Sequence, residues 1–292
     1  MSVLAGYLSG ETEPASLHLA AQFAYSLGEP LLIATIFSLP RISLATARTD
    51  SKLTAYAQKL ADDSKQQAQQ LLGPLAEQID INYLQITARS AADGLLEAAQ
   101  SSNARLLVIG STGEGRPGQL APGSTGDWLI HSSPVPLAIA PLGYHRPPCE
   151  KLQRLTFAYS GTHASTELVF DAQQWAQQMG LPLRVVSFAI RRGAMYPPEV
   201  GLHVEASLQQ AWCEDLTQAQ AKLQADPRLA DAQFCVQQAG SWPQALTALP
   251  WQTDEILVLG ASSRPSITGL FLGSRGAKII RHSPVPVLLL PG

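Results

Sequence analysis

The sequence is poor in cysteine, and its few cysteines form no recognised pattern. Three occur among 292 residues, at positions 149, 213 and 235, and no two of them form a Cys-X-X-Cys pair. Three thiols cannot all pair with one another. This argues against a disulfide framework or a cysteine-based metal site, and it favours free thiols in a reducing compartment.

Long apolar runs and a strong excess of one charge are also missing. Residues 1–14 contain no basic stretch followed by an apolar run, so no signal peptide is expected. No apolar run approaches the roughly 20 residues that span a bilayer. The formal net charge is -3, with 15% charged residues, which does not indicate a nucleic-acid or anionic-membrane surface. We therefore expect a cytoplasmic protein that binds neither nucleic acid nor membrane.

Common catalytic signatures are missing as well. The sequence contains no GxSxG elbow, no HExxH pair and no GxxxxGK[ST] loop. No group of His, Asp and Glu residues has the spacing of metal ligands. Because no base or nucleophile is placed by a motif, we expect no enzyme and no metal held by the protein itself.

In contrast to these missing patterns, the sequence contains a clear internal repeat. Residues 106–141 read LLVIGSTGEGRPGQLAPGSTGDWLIHSSPVPLAIAP, and residues 256–291 read ILVLGASSRPSITGLFLGSRGAKIIRHSPVPVLLLP. The two segments align without a gap, so the chain is a duplication. It predicts two domains, at 1–143 and 150–292.

Each copy alternates apolar runs with amphipathic helical patterns and contains five such runs. Runs that are apolar throughout, such as Leu106–Ile109 and Ile256–Leu259, indicate strands buried on both faces of a parallel sheet. Right-handed crossovers then give an α/β fold: two tandem doubly wound, Rossmann-like, five-stranded parallel-sheet domains with helices on both faces. The chain would reverse direction between the first and fourth strands, and a ligand is expected at their carboxyl ends.

A glycine-rich loop follows the fourth predicted strand of the first copy. Two residues separate Gly110 from Gly113, and nine more lead to Gly123 and Ser124. Glycines let the backbone approach a ligand closely, and the free N–H groups of a helix start, with the hydroxyls of Ser124 and Thr125, suit phosphate. The alternative is a tight strand-to-helix connection in which Ser124 only caps the helix. The spacing after a buried strand favours phosphate binding.

This loop resembles the nucleotide loop of the ATP-binding branch of the universal stress protein family, and the Ser-Pro-Val-Pro segment of both copies resembles that family's usual ending. The resemblance covers nearly the whole chain twice. It implies a tandem universal stress protein that binds ATP, with Mg²⁺ arriving on the nucleotide, as a sensor or switch in stress physiology. It also implies that the loop residues contact phosphates and ribose, and that Ile36 meets the adenine.

The same resemblance implies pairing between the last strands of the two copies, as in the family's dimers. A further homodimer and an unnamed protein partner stay open. Two other functions also stay open: a scaffold or receptor for protein partners or another small metabolite, and a slow ATPase or self-phosphorylating protein that uses Ser124 or Thr125.

The second copy departs from the loop pattern. Gly260, Gly273 and Ser274 keep their places, but Ser263 stands where the second glycine is expected. If the backbone there has a positive φ, serine is penalised; if it does not, both copies can bind. We expect nucleotide mainly in the first copy, and at most a smaller anion in this possible second site.

Both copies also lack the aspartate that ATP-binding relatives carry after the first strand, and the corresponding stretches contain Tyr7 and Tyr159. These tyrosines could line the pocket, but we expect them at the edge of the core with their hydroxyls in solvent. Arg116 and Arg264 could neutralise phosphate charge. The alternative is that both are solvated loop residues.

Overall fold

The computed structural model describes residues 1–39, 50–112, 116–145, 150–190, 198–263, 270–271 and 274–292. The chain divides into two compact units. The N-terminal unit is built mainly from Met1–Leu152, and the C-terminal unit mainly from Gln153–Ser262 and Leu272–Leu290. Within the described ranges, none of the helices has the length and apolar character needed to cross a membrane.

The N-terminal unit is a parallel sheet with the strand order β3-β2-β1-β4-β5. This is the predicted doubly wound order, with the reversal between the first and fourth strands. Its strands are β1 (Ser2–Gly6), β2 (Leu31–Ser38), β3 (Ile81–Ala88), β4 (Ala104–Gly110) and β5 (Leu137–Ala140). Its described α-helices are α1 (Ala15–Leu27), α2 (Ser51–Leu72), α3 (Ala91–Ser101) and α4 (Gly123–Ser132).

The C-terminal unit repeats this arrangement with the order β8-β7-β6-β9-β11. Its strands are β6 (Arg154–Ala158), β7 (Leu183–Ile190), β8 (Gln233–Ala239), β9 (Glu255–Ser263) and β11 (Val287–Pro291), whereas the two-residue strand β10 (Leu270–Phe271) groups with the N-terminal unit. Its described α-helices are α5 (His163–Met179), α6 (Pro198–Gln224), α7 (Trp242–Ala248) and α8 (Ser274–His282).

The central strands are buried on both faces, as their apolar sequences predict. In β1, Val3, Leu4 and Ala5 are all fully buried although successive side chains point to opposite faces. Only a sheet covered on both sides buries such a run, so the site must lie at the strand ends rather than on a sheet face.

The first helices of the two units differ in length. Helix α1 has 13 residues and α5 has 17, and each ends at a glycine in the left-handed region, Gly28 at φ 65° and Gly180 at φ 67°. Since the ends correspond, the additional turn of α5 lies at its N-terminus. The chain between β1 and α1 is therefore irregular where the C-terminal unit is already helical.

A buried ion-pair cluster lies at the amino ends of the strands in the C-terminal unit. Glu255 is fully buried, and its Oε2 and Oε1 atoms lie 2.6 Å and 2.7 Å from Nη2 of Arg154 and Nη2 of Arg184. The backbone N–H of Gln252 also donates to Glu255 Oε2, at 2.8 Å. These bonds compensate the desolvation of the carboxylate, which would be costly to bury alone.

Candidate functional site

A cavity of about 420 Å³ opens in the N-terminal unit at the carboxyl ends of β1, β2 and β4. This is the point where the strand order reverses, because β1 connects onward to β2 on one side while β4 connects to β5 on the other. Ligands of doubly wound sheets bind in this crevice. The volume is within the usual range of small-molecule sites.

Three of the predicted site residues line this cavity: Gly110 at the end of β4, Ile36 near the end of β2, and Thr125 in the first turn of α4. Ser124 is exposed in the same turn. Gly113 lies outside the described residues. The structure thus brings together positions that are up to 89 residues apart in sequence, from Ile36 to Thr125.

Gly123 begins α4 in a conformation that requires glycine. Its φ is 65°, in the left-handed region, and a Cβ atom added to it would lie 2.2 Å from Thr112 Cγ2. The residue before it, Pro122, occupies the cap position, and no side-chain hydrogen bond caps the helix there. The first-turn N–H groups have no acceptor within the helix itself, which is the arrangement that suits an anion.

Hydrogen bonds join the two ends of the glycine-rich loop. The Thr112 N–H donates to the Ala121 carbonyl at 2.7 Å, and the Ala121 N–H donates to Ser111 Oγ at 3.0 Å. The Ser111 hydroxyl in turn donates to the Ala140 carbonyl of β5 at 2.7 Å. These bonds fix the start of α4 against the ends of β4 and β5, so this side of the cavity is preorganised.

The irregular chain between β1 and α1 supplies cavity-lining residues that the sequence analysis did not identify, among them Glu11, Thr12 and Glu13. The Gly143 N–H donates to Glu13 Oε1 at 2.6 Å, whereas Glu13 Oε2 is buried and has no hydrogen-bond partner. The signal in the sequence is the run Glu-Thr-Glu directly before Pro14. No group of three or more His, Cys, Asp or Glu side chains in the described ranges could hold a metal.

Tyr7 also lines the cavity, and our expectation that its hydroxyl lies in solvent is wrong. The residue is buried, and its hydroxyl donates to Gln67 Oε1 at 2.7 Å. The Ser9 hydroxyl donates to the same oxygen at 2.7 Å, and the Ser9 N–H donates to Ser64 Oγ at 3.0 Å. Burial raises the pKa of the Tyr7 phenol. These bonds tie the chain after β1 to helix α2.

The equivalent position in the C-terminal unit is more crowded. A Cβ atom added to Gly260 would lie 2.4 Å from Leu168 Cδ1, whereas one added to Gly110 would lie no closer than 3.6 Å to its nearest neighbour, the backbone nitrogen of Ser16. Ser16 and Leu168 occupy matching positions, 12 residues before the glycines that end α1 and α5. Leu168 therefore stands beside Gly260 where Ser16 leaves space beside Gly110, although Gly260 itself stays exposed.

The other predicted residues of the second site are only partly described. Ser263 is the last residue of β9, so its backbone is extended and does not have the positive φ that would penalise serine. Ser274 is exposed at the start of α8. Gly273 and Arg264 lie outside the described residues. Arg116, the candidate phosphate partner of the first copy, is exposed and is not among the described residues that line the cavity.

A cavity of about 640 Å³ in the C-terminal unit lies elsewhere, in the crevice between α5 and α6. The corresponding crevice of the N-terminal unit is crossed by the bonds to Gln67. At the spacing of 152 residues that separates Tyr7 from Tyr159, the position of Gln67 is taken by Ala219. Tyr159, expected in solvent, is buried, and its hydroxyl lies 3.2 Å from Thr166 Oγ1. Ala219 has no side chain long enough to cross this crevice, which stays open.

Comparison with known proteins identifies both halves. The model of the universal stress protein family matches residues 1–141 and 151–291. Universal stress proteins of Mycobacterium bovis and Mycobacterium tuberculosis are each 41% identical to this chain over 293 residues, covering 100% of both sequences. The crystal structure of a universal stress protein from Archaeoglobus fulgidus shares the fold, with a TM-score of 0.58 at 14% identity over 100% of this chain and 99% of that one. The chain therefore belongs to the universal stress protein family and carries a family domain in each half.

Proposed function

We propose that this protein binds ATP or a related adenine nucleotide in the cavity of the N-terminal unit and acts in the cytoplasm as a sensor or switch of the stress response. The observation that carries the proposal is the convergence of Gly110, Ile36 and Thr125 on one cavity at the reversal of the strand order. The loop spacing and the fold point to the same crevice by independent arguments.

The cavity offers different chemistry on its two sides. Ile36, Leu95 and Ile109 are buried apolar residues of β2, α3 and β4 that line it, and such a surface accommodates a planar base. The start of α4 at Gly123 offers backbone N–H groups and the positive end of a helix dipole, which accommodate phosphate. A nucleotide has this combination of an apolar ring and an anionic chain.

One nucleotide per chain is the expected stoichiometry. In the C-terminal unit, Leu168 packs against Gly260 and the additional turn of α5 occupies the place of the irregular chain that lines the N-terminal cavity. The extended backbone of Ser263 means that its conformation does not exclude a second nucleotide site. The contact of Leu168 with Gly260 remains an obstacle to nucleotide binding there.

The proposed role is binding without efficient turnover. Phosphoryl transfer depends on cationic groups that stabilise the charge of the transferred phosphoryl group. The described residues that line the cavity include no lysine, arginine or histidine. Incubation with ATP, followed by quantification of released ADP, tests this: turnover at enzymatic rates would contradict the proposal of a switch.

Calorimetric titration with ATP and Mg²⁺ tests binding directly. We expect one site per chain, and we expect it to be lost in Thr125→Trp, because the indole would fill the cavity beside the first turn of α4. Asp127→Trp is the matched control, since it places the same side chain on an exposed position of the same helix. Absence of binding at millimolar ATP would refute nucleotide binding, and two sites per chain would refute the asymmetry.

A further inference from the structure

The segment Tyr7–Glu13, between β1 and α1, forms one wall of the N-terminal cavity, and five of its seven residues line that cavity. The two ends of the segment are fixed. At its start, the Tyr7 N–H donates to the Ala34 carbonyl of β2 at 3.0 Å. At its end, Glu13 Oε1 accepts the Gly143 N–H at 2.6 Å. The bonds between these ends therefore determine whether the wall keeps its position in the empty cavity.

Helix α2 holds the segment from outside the cavity. The Tyr7 and Ser9 hydroxyls both donate to Gln67 Oε1, each at 2.7 Å. The Ser9 N–H donates to Ser64 Oγ at 3.0 Å. The amide oxygen of Gln67 thus accepts two hydrogen bonds, which uses both of its lone pairs. Gln67 is not among the described residues that line the cavity, so it can act on a ligand only through the segment.

Loss of the Gln67 amide would leave the Tyr7 hydroxyl without its acceptor. Tyr7 is only 3% exposed, and a buried hydroxyl without a partner is costly. The tyrosine would turn toward another partner, or water would enter beside it, and either change displaces the wall of the empty cavity. A ligand would then have to order the wall as it binds. This ordering opposes association and weakens affinity.

The C-terminal unit holds the equivalent chain differently. The Tyr159 hydroxyl lies 3.2 Å from Thr166 Oγ1, and the Ser160 N–H donates to Ser165 Oγ at 3.1 Å. Both partners belong to α5, the helix that this chain enters. In the N-terminal unit the partners belong to α2, which lies 55 to 60 residues further along the chain. The bonds to α2 therefore accompany the unit whose cavity is proposed to bind nucleotide.

We infer that Gln67 is a positioning residue of the N-terminal cavity: it holds the segment Tyr7–Glu13 against the cavity and thereby sets the affinity for nucleotide without touching the ligand. The inference rests on the proposed nucleotide binding and adds to it a determinant of affinity that lies outside the cavity. It also makes the order of the segment in the empty protein depend on Gln67.

The test compares Gln67→Met with Gln67→Glu in calorimetric titrations with ATP and with adenosine. Methionine keeps the length of the side chain but has only a weak acceptor, whereas glutamate keeps a strong acceptor for both hydroxyls. We expect about tenfold weaker binding of both ligands in Gln67→Met, and adenosine binding within about twofold of the unaltered protein in Gln67→Glu. Adenosine is used for the rescue because it has no charge that the new carboxylate would repel. Gln66→Met is the matched control: it makes the same exchange at an exposed position of α2, and its affinities should be unchanged.

Hydrogen exchange of the segment Tyr7–Glu13, measured by mass spectrometry, separates positioning from a general loss of stability. We expect slow exchange in the unaltered protein with and without ATP. In Gln67→Met we expect fast exchange without ligand and slow exchange with saturating ATP, while β4 exchanges as in the unaltered protein. Slow exchange of the segment in ligand-free Gln67→Met would refute the positioning role.

The titrations separate this inference from the proposed function. If the unaltered protein binds neither ATP nor adenosine, the nucleotide site is refuted and the role of Gln67 with it. If Gln67→Met binds both ligands as tightly as the unaltered protein, or if Gln67→Glu binds adenosine as weakly as Gln67→Met, the role of Gln67 is refuted while nucleotide binding stands. Should Gln67→Met lose its native circular dichroism spectrum, Ser9→Ala decides instead, because it removes one of the two hydroxyls without altering a residue that lines the cavity. We expect about threefold weaker binding in Ser9→Ala, and unchanged affinity would refute the role of Gln67.

Discussion

Replacement of Gly123 with alanine tests whether the start of α4 requires glycine for two separate reasons. The first is conformational: a residue with a Cβ atom at φ 65° pays about 1–2 kcal/mol. The second is steric, because the new Cβ atom would lie 2.2 Å from Thr112 Cγ2. Overpacking of this kind costs about 1–3 kcal/mol. The sum predicts a loss of about 2–5 kcal/mol in the free energy of unfolding, measured by urea denaturation.

Two further variants separate the two reasons. Gly118 has a φ of 81° and open space where a Cβ atom would stand, so Gly118→Ala should show the conformational cost of about 1–2 kcal/mol alone. Thr112→Ser removes the Cγ2 methyl and keeps the hydroxyl, so the double variant Gly123→Ala/Thr112→Ser should recover to the level of Gly118→Ala. Equal losses in Gly123→Ala and Gly118→Ala, or no recovery in the double variant, would refute the steric part of this reasoning.

Three other predictions concern stability. Glu255→Gln should lower the free energy of unfolding by about 3–5 kcal/mol, because it leaves Arg184 buried beside a neutral partner, and an unchanged urea midpoint would contradict this. Burial, with the nearby His145 charge, lowers the pKa of His18 from 6.5 to about 4. Below pH 6.5 the unfolded chain therefore binds more protons, so stability should fall between pH 6.5 and about 4, and His18→Leu should flatten that part of the pH profile. Ala219→Gln should raise the melting temperature by a few degrees by accepting the Tyr159 hydroxyl, as Gln67 accepts its counterpart; no rise would show that the crevice does not admit the side chain.

The fold could be predicted from the sequence because its signals are local or periodic. Continuous apolar runs marked the strands, and the gapless match of residues 106–141 with residues 256–291 transferred the assignments in that segment to the other copy. Gly110 and Thr125 could be placed at the cavity from the spacing of the glycine-rich loop after a buried strand, whereas Ile36 was implied by the resemblance to the family.

The roles of other residues depend on contacts between distant parts of the chain. Glu13 is fixed by Gly143, 130 residues later, and the length of α1 decides whether Glu13 belongs to a helix or to the cavity wall. The hydroxyl of Tyr7 finds its acceptor on α2, 60 residues away. The spacing of residues in the sequence does not reveal contacts between distant side chains. For this reason the sequence alone led us to expect the tyrosine hydroxyls in solvent. The crowding of Gly260 by Leu168 is of the same kind.

The pair of positions 16 and 168 has an evolutionary consequence. In an assembly of identical subunits, one codon change alters every copy of a site together, so a loss of ligand affinity in one copy is a loss in all. Here serine and leucine at the matching positions are encoded separately, and each can mutate without the other. Selection can therefore act on each domain separately, and one domain can change its task while the other keeps its own. Because both domains lie on one chain, dilution does not separate them.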